Sequence, residues 1–392
     1  MKITEIEVIP LYAPDAEVVK STCVVRLHTD EGVDGIGQVE IPAMIATAFV
    51  KTKEWEVTGY YHGGLERVLL GENPLNIERL WHKMYASMWL YGRRGAGIAV
   101  MTAIDTALWD IKGKILGVPV YELIWSACNV ARADPGIIGP KLRVKPYATV
   151  YPSGSTPEEV KRNLSLAVDA GFNAVKLEES EGGFGRKDVG HDVELVQAAR
   201  EAIGEKRDLM IDVQYIWNDY TRAYSSIRAI EPFNIYFVEA PLPPDSLDAY
   251  AMLADSVETR IACGDGGFTT RFEFKELIDR GKVDVVQPSA VRTGGITEIL
   301  RIAAMAYEKG KLCIPHSYAW MIGVAAEIHL AAVIPNMPYI EMPSPRPYSP
   351  LISELLDPAL IVQDGYIEVP KKAGLGFRIN EKTIDRYKVE PF

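Results

Sequence analysis

Three acidic residues, Asp212, Glu239 and Asp265, end three successive apolar segments, each separated from the next by one strand and one helix. Carboxylates in apolar surroundings are costly unless they are paired or bind a metal. Three that converge repel one another unless a divalent cation neutralises them, and oxygen ligands favour Mg²⁺, with Mn²⁺ as the alternative. Each acid could instead cap a helix or pair with a basic residue. For three acids in register, we favour the metal site.

A lysine and a histidine end two further segments of the same kind. Lys176 and His316 would then stand on either side of the metal, where Lys and His serve as acids or bases near neutral pH. A metal beside such a base is an arrangement that removes a proton next to a carboxylate. The alternatives are structural: Lys176 pairs with Glu178 or another acid, and His316 is a buried imidazole beneath Tyr318 and Trp320.

All these residues belong to a regular alternation of short apolar strands and amphipathic helices. The predicted strands are Arg143–Val150, Ala174–Glu178, Leu209–Gln214, Tyr236–Ala240, Arg260–Asp265, Val283–Pro288, Leu312–His316 and Tyr339–Met342. A helical segment fits between consecutive strands. The spacing predicts a parallel β/α barrel, whose catalytic groups lie at the carboxyl ends of the strands. An open doubly wound sheet is the alternative, disfavoured because no GxGxxG motif follows the first strand.

The first part of the chain has a different pattern. Met1–Pro10 and Ser21–Thr29 alternate or are rich in β-branched residues, whereas Arg94–Leu116 has helical spacing and ends before Gly117. We therefore predict an α+β domain over residues 1–130 and a barrel over residues 131–364. The tail, residues 365–392, is expected to return to the first domain as strands or extended chain. Ser126–Pro140 is predicted to be the linker.

Composition narrows the classes of function. The chain has 392 residues and a formal net charge of −11, which argues against a nucleic-acid partner. The cysteines include no CxxC pair, so we expect a reduced, cytoplasmic protein. No apolar stretch of about 18 residues predicts a membrane span, and the amino terminus does not resemble a signal peptide.

The chain resembles the enolase superfamily, specifically its mandelate racemase subgroup. The similarity covers nearly the whole sequence and rests on TALWDIKGK, AVKLEES, LMIDVQYIW, FVEAPLPP, IACGDGGFTTRFEF, VDVVQPSAVRTGGITE, IPHSYAW and YIEM. It implies an α+β capping domain over a modified TIM barrel, (β/α)₇β, with Mg²⁺ held by Asp212, Glu239 and Asp265. It also implies abstraction of the proton α to a substrate carboxylate, through an enediolate, and a homo-oligomer.

Three positions depart from the pattern of this family. Glu178 replaces the second lysine of the strand-two motif, so either Lys176 only orients and charges the site or Glu178 has become a base or a sugar-hydroxyl acceptor. Ser289 replaces the strand-six aspartate that fixes the histidine tautomer. Asp265 replaces a glutamate and is one methylene shorter, which requires an inward shift of the strand end or a bridging water.

A two-base racemase needs bases on both faces of its substrate, and neither face is complete here. We therefore expect dehydration of a sugar acid, with a racemase, epimerase or lactone cycloisomerase second and a non-catalytic barrel that binds Mg²⁺ and a carboxylate third. Loops around Tyr12–Val19 and Pro42–Tyr61 are expected to select the substrate, with Trp55 and the run Tyr60–His62 facing the sugar. The expected substrate contacts from the barrel are Glu178, Gln214, Glu341 and Tyr318.

Overall fold

The computed structural model describes residues 1–53, 63–127, 139–346 and 348–390. An antiparallel sheet comes first, with β1 (Ile3–Tyr12), β2 (Ser21–Thr29) and β3 (Gly35–Val39) in that order. The helices that follow are α1 (Ala43–Lys51), α2 (Leu65–Leu69), α3 (Ile77–Ser87), α4 (Ala96–Leu116) and α5 (Val120–Ala127). The expectation of a loop from Pro42 onward is wrong over α1, because alanines at Ala43, Ala46 and Ala48 favour a helix.

The central helix α4 lies directly on β3, and a glycine makes this approach feasible. A Cβ placed on Gly37 would come within 1.9 Å of the carbonyl oxygen of Ala103. Backbone atoms of a central helix cannot move aside as a flexible side chain can, so this position has no room for a side chain.

Replacing Gly37 by alanine is therefore expected to lower the free energy of unfolding by about 3 kcal/mol, at the upper end of the range for overpacking. Urea denaturation measures the loss. The matched control is Gly139→Ala, since Gly139 has open space around its Cβ position and no positive φ. Equal stability of the two variants would contradict this packing.

The second part of the chain forms an eight-stranded parallel sheet. In chain order the strands are β5 (Pro146–Val150), β6 (Ala174–Glu178), β7 (Asp208–Asp212), β8 (Ile235–Glu239), β9 (Arg260–Cys263), β10 (Val285–Val286), β11 (Leu312–Cys313) and β12 (Ile340–Pro343). The hydrogen-bonded order runs from β11 back to β5 and continues to β12. A single apolar cluster takes one residue from each strand or its flank, including Ile314 beside β11 and Tyr339 beside β12. The sheet therefore curls round a shared interior, and the barrel prediction is confirmed.

Helices and short strands complete the chain. The helices are α6 (Pro157–Asp169), α7 (Val189–Ile203), α8 (Tyr220–Ile230), α9 (Leu247–Ala254), α10 (Arg271–Asp279), α11 (Gly295–Glu308), α12 (Met321–Val333), α13 (Pro350–Ser353) and α14 (Glu381–Tyr387). The outlying strands are β4 (Arg143–Val144), β13 (Leu356–Asp357), β14 (Ile367–Glu368) and β15 (Arg378–Ile379). Several predicted strands were too long: β9 stops at Cys263, so Asp265 lies in the bend that follows, and β11 stops at Cys313, although His316 forms a separate parallel bridge with Ser289.

The tail was predicted as strands or extended chain, and it also contains helix α14, whose first turn is capped by the Asn380 side chain. It contacts the first sheet, where the Val389 backbone N–H donates to the carbonyl of Pro10 at 3.0 Å. The linker and the predicted boundary at residue 130 fall largely or wholly within 128–138, outside the described residues, so the domain limits stay a prediction. In the described ranges no helix has the length and apolar character needed to cross a membrane.

Candidate active site at the barrel mouth

A buried lysine lies among three carboxylates at the carboxyl ends of the barrel strands. The ammonium Nζ of Lys176, on β6, is 2.8 Å from Glu239 Oε2, 2.8 Å from Glu341 Oε1 and 3.1 Å from Asp212 Oδ2. The lysine side chain is only 1% exposed. One alternative in the sequence analysis was a salt bridge between Lys176 and an acid at the mouth, and the structure shows such pairing. The partners of Lys176 are these three acids rather than Glu178.

These ion pairs determine the charge of the lysine. Burial alone would lower the pKa of Lys176, but attraction by Glu239, Glu341 and Asp212 outweighs burial and raises it well above its usual value. Burial would raise the pKa of Glu341, but it is likewise outweighed, mainly by Lys176, so that the pKa of Glu341 falls to about 2. Both shifts favour an ammonium at Lys176 paired with an ionised Glu341.

The three acids of the predicted metal site lie at the same mouth, and their charges act on one another. Burial, and then repulsion by Asp212 together with Asp265, raises the pKa of Glu239 well above its usual value. Asp265 is engaged separately, because its Oδ1 accepts a hydrogen bond from the hydroxyl of Tyr215. In the described part of the chain no group of three such side chains is arranged as a ready metal cluster.

The donor set nevertheless fits a hard divalent cation. Glu239 Oε1 is buried and has no hydrogen-bond partner among the described residues, so it is an oxygen with no compensation for its burial. Burial and the neighbouring acids raise the pKa of both Asp212 and Glu239, and Mg²⁺ neutralises carboxylates crowded in this way. A cation between Asp212, Glu239 and Asp265 would satisfy both features.

Glu178, at the end of β6, lies beside Gln214, in the turn after β7. Gln214 Nε2 donates to Glu178 Oε1 at 2.7 Å, and the Gln214 backbone N–H donates to Asp212 Oδ1 at 2.9 Å. Burial and the adjacent Asp212 raise the pKa of Glu178 well above its usual value. Gln214 adopts a φ of 54°, an uncommon conformation for a residue with a side chain. The structure therefore brings two predicted substrate contacts together, one at the end of a strand and one in a strained turn.

Glu341 lies on β12, two strands from β6 in the sheet, and Tyr318 follows β11. Glu341 Oε1 accepts from the hydroxyl of Thr149 at 2.5 Å, and its Oε2 accepts from the backbone N–H groups of Ser317 and Tyr318, both at 3.1 Å. The hydroxyl of Tyr318 is buried and lacks a hydrogen-bond partner within the described ranges. A substrate hydroxyl is one group that could satisfy it.

His316 follows β11 and is 13% exposed at its side chain. Its Nε2 is 3.9 Å from Glu341 Oε2, while its Nδ1 is 3.2 Å from Nη2 of Arg292 and 3.5 Å from the hydroxyl of Ser289. The departure seen in the sequence is therefore present in space, because the position expected for a carboxylate holds Ser289 and the ring nitrogen faces a guanidinium.

Part of the capping domain reaches the same mouth. The Glu17 N–H donates to the Tyr348 carbonyl at 3.0 Å, and the hydroxyl of Ser349 donates to the Val19 carbonyl at 3.0 Å. The predicted loop Tyr12–Val19 therefore lies against the segment after β12. The predicted sugar-facing residues Trp55 and Tyr60–His62 lie outside the described residues.

Four residues that the sequence did not single out contact the candidate site: Thr149, Tyr215, Arg292 and Glu40. Thr149 sits near the end of β5, and its inward direction follows from strand alternation. Tyr215 directly follows Gln214, a predicted substrate contact, so the sequence already placed Tyr215 near the mouth. Glu40 and Arg292 lie in different domains, and nothing in their local sequence connects them.

An eight-stranded barrel with buried acids at one mouth and a cap reaching that mouth defines a class of barrel enzymes. Residues 159–383 match the family model described as enolase C-terminal domain-like. Residues 12–125 match the model for the mandelate racemase / muconate lactonizing enzyme N-terminal domain. The chain belongs to the enolase superfamily, in its mandelate racemase branch, which confirms the resemblance.

Similar proteins carry several activities on this fold. An arabinonate dehydratase of Saccharolobus solfataricus is 33% identical over 326 residues, which cover 83% of this chain and 81% of that protein. The crystal structure of a 3,6-anhydro-D-galactonate cycloisomerase from Zobellia galactanivorans has a TM-score of 0.83 and 28% identity, with 100% of both chains covered. A Streptomyces coelicolor A3(2) racemase with bound magnesium is similar in fold, with a TM-score of 0.81, 23% identity, and 99% of this chain and 100% of that chain covered.

Proposed function

We propose that this protein is a Mg²⁺-dependent carbon–oxygen lyase that removes water from a sugar acid to give a 2-keto-3-deoxy acid. The observation that carries the proposal is the state of Lys176, an ammonium paired with three carboxylates. A two-base racemase pairs a base on one face with a protonated acid on the other, and each group must be able to lose its proton so that the reaction can run in both directions. Here the strand-two lysine is paired with three carboxylates that hold its proton, whereas a dehydration can use Lys176 as a fixed charge and needs no proton transfer through it. The similarity to an arabinonate dehydratase supports the same choice.

Asp212, Glu239 and Asp265 would hold the Mg²⁺, with Mn²⁺ as the alternative. When bound, the cation would neutralise the negative charge that develops on the substrate carboxylate as the α-proton leaves. Lys176 supplies a second fixed positive charge at the same mouth, which makes approach of an anionic substrate feasible despite the net charge of −11.

The remaining side chains of the mouth have separate tasks in this proposal. Glu178 is the group left to take the α-proton and to return it to the β-hydroxyl that leaves as water, while His316, which follows a different strand, would contact the substrate. Gln214, Glu341 and Tyr318 would bind substrate oxygens, since they present an amide, a carboxylate and an unpartnered hydroxyl to the mouth. The partner is a small carboxylate, and the acidic surface makes a nucleic acid unfavourable.

The direct test is a panel of five- and six-carbon aldonic and aldaric acids, arabinonate included, incubated with the protein and Mg²⁺. We expect at least one acid to be converted to a 2-keto-3-deoxy product, detected by its reaction with semicarbazide. Omission of Mg²⁺ with added EDTA is the control and is expected to abolish conversion. Failure of every acid, with Mg²⁺ present and the protein folded, would contradict the proposal.

A cycloisomerase or racemase is the second candidate, and the structural similarity to the anhydrogalactonate cycloisomerase favours keeping it. These activities change no elemental composition, so mass spectrometry separates them from dehydration, which removes one water. A ligand that raises the melting temperature without any turnover would instead indicate the third possibility, a non-catalytic binding barrel.

A further inference from the structure

We propose that Arg292, held by Glu40 of the capping domain, fixes His316 in the tautomer with its proton on Nε2, so that His316 serves as a hydrogen-bond donor to the substrate and not as the acceptor of the α-proton. The statement about the tautomer stands on the geometry alone, and the role in turnover rests on the proposed function. Arg292 is a positioning residue in this account, because it acts through His316.

Arg292 contacts His316 at its Nδ1 nitrogen. Arg292 Nη2 lies 3.2 Å from His316 Nδ1, and a guanidinium has only donors. Nδ1 must therefore be the acceptor in this contact, which leaves the proton of the neutral ring on Nε2. Ser289 Oγ at 3.5 Å can donate or accept, so it does not oppose this assignment.

The other ring nitrogen of His316, Nε2, faces Glu341. This nitrogen is 3.9 Å from Glu341 Oε2, whose other contacts are the backbone N–H groups of Ser317 and Tyr318. Glu341 is a predicted substrate contact, so Nε2 is the ring atom on the substrate side. A neutral imidazole whose N–H faces a substrate oxygen stabilises negative charge there without gaining or losing a proton.

Glu40 of the capping domain pairs with Arg292. Arg292 Nε is 3.1 Å from Glu40 Oε2, an ion pair whose geometry is not that of a hydrogen bond, and the Glu40 backbone N–H donates to the Val291 carbonyl at 3.4 Å. Glu40 directly follows β3, so the capping sheet reaches the barrel turn after β10. The guanidinium is thereby neutralised from the cap and directed at the ring, and the tautomer depends on the contact between the two domains.

The carboxylate expected at position 289 would have the opposite effect. A carboxylate at Nδ1 accepts a proton and leaves Nε2 free to act as a base. Replacing this acceptor by a donor exchanges the roles of the two ring nitrogens. Removal of the α-proton is then assigned to Glu178, at the end of β6.

Nitrogen-15 NMR of histidine-labelled, substrate-free protein tests the tautomer directly. We expect the His316 signals, assigned by their loss in His316→Asn, to show an unprotonated Nδ1 and a protonated Nε2. In Arg292→Met the pattern is expected to become a mixture of tautomers, with Arg292→Lys restoring it in part. Arg378→Met, at an arginine that is 81% exposed, is the matched control. A proton on Nδ1 in the unmodified protein would overturn the proposal.

Turnover gives a second readout that a purely structural role would not move. Arg292→Met is expected to lower kcat by about 10- to 100-fold with little change in KM. His316→Gln, whose amide nitrogen can occupy the Nε2 position, is expected to retain more activity than His316→Asn. Equal inactivity of the two His316 variants would show that the ring must accept a proton and would overturn the donor role. Because the NMR readout needs no substrate, failure of the proposed dehydration leaves the tautomer assignment separately testable.

Discussion

Replacing Lys176 by methionine is expected to abolish turnover and to lower the free energy of unfolding by about 3–5 kcal/mol, the range found when one partner of a buried ion pair is removed. The methionine keeps most of the side-chain volume, so the loss reports on charge. Asp212, Glu239 and Glu341 would remain buried with no ammonium to compensate them.

The pH dependence of this variant has a defined sign. Without the lysine, the three acids would bind protons more tightly in the folded than in the unfolded state, and stability then falls as pH rises. The variant is therefore expected to regain stability as the pH is lowered from 8 to 5, measured by urea denaturation. Lys145→Met, at an exposed lysine, is the control. Unchanged stability at pH 8 would contradict the ion-pair account of the site.

Replacing Glu239 by glutamine is expected to lower kcat by about 10³-fold or more, because the cation supplies several kcal/mol of charge stabilisation and about 4 kcal/mol corresponds to a factor of 10³. The substitution keeps the shape of the side chain and removes its charge. Oε1 of Glu239 is a buried oxygen without a hydrogen-bond partner among the described residues. A bound cation would compensate this atom for its burial.

Melting temperature supplies the readout for the metal. Added Mg²⁺ is expected to raise the melting temperature of the unmodified protein and to leave that of the glutamine variant unchanged, since only binding to the folded state stabilises it. Glu194→Gln, at a glutamate that is 69% exposed, should behave like the unmodified protein. An equal Mg²⁺ shift in both variants would remove Glu239 from the metal site.

The fold could be predicted because its signals are local and repeated. Each β/α unit carries its own apolar strand and amphipathic helix, and parallel strands place their carboxyl ends at one mouth. The convergence of Asp212 and Glu239 on one site followed from that rule. The strand ends did not, because Asp265 lies in the bend after β9 and His316 in an isolated bridge after β11, and such ends depend on tertiary contacts rather than on strand propensity.

The ion pairs that determine the charges in the site could not be predicted from the sequence. Periodicity places Lys176 at the mouth but does not determine whether it contacts Glu178, one acid or three. The contact of Arg292 with both Glu40 and His316 joins two domains and depends on how the cap docks on the barrel. Such contacts between distant segments leave no spacing in the sequence, which is why the tautomer of His316 could be addressed only in three dimensions.

The central claim is that the protein dehydrates a sugar acid, and proton NMR in D₂O with Mg²⁺ tests it most directly. For any acid in the panel that reacts, dehydration removes the C2 proton and the C3 hydroxyl and then takes up a solvent deuteron at C3. The account predicts a 2-keto-3-deoxy acid that carries deuterium at C3. Recovery of the starting acid or an isomer with deuterium at C2, and no loss of water, would contradict it.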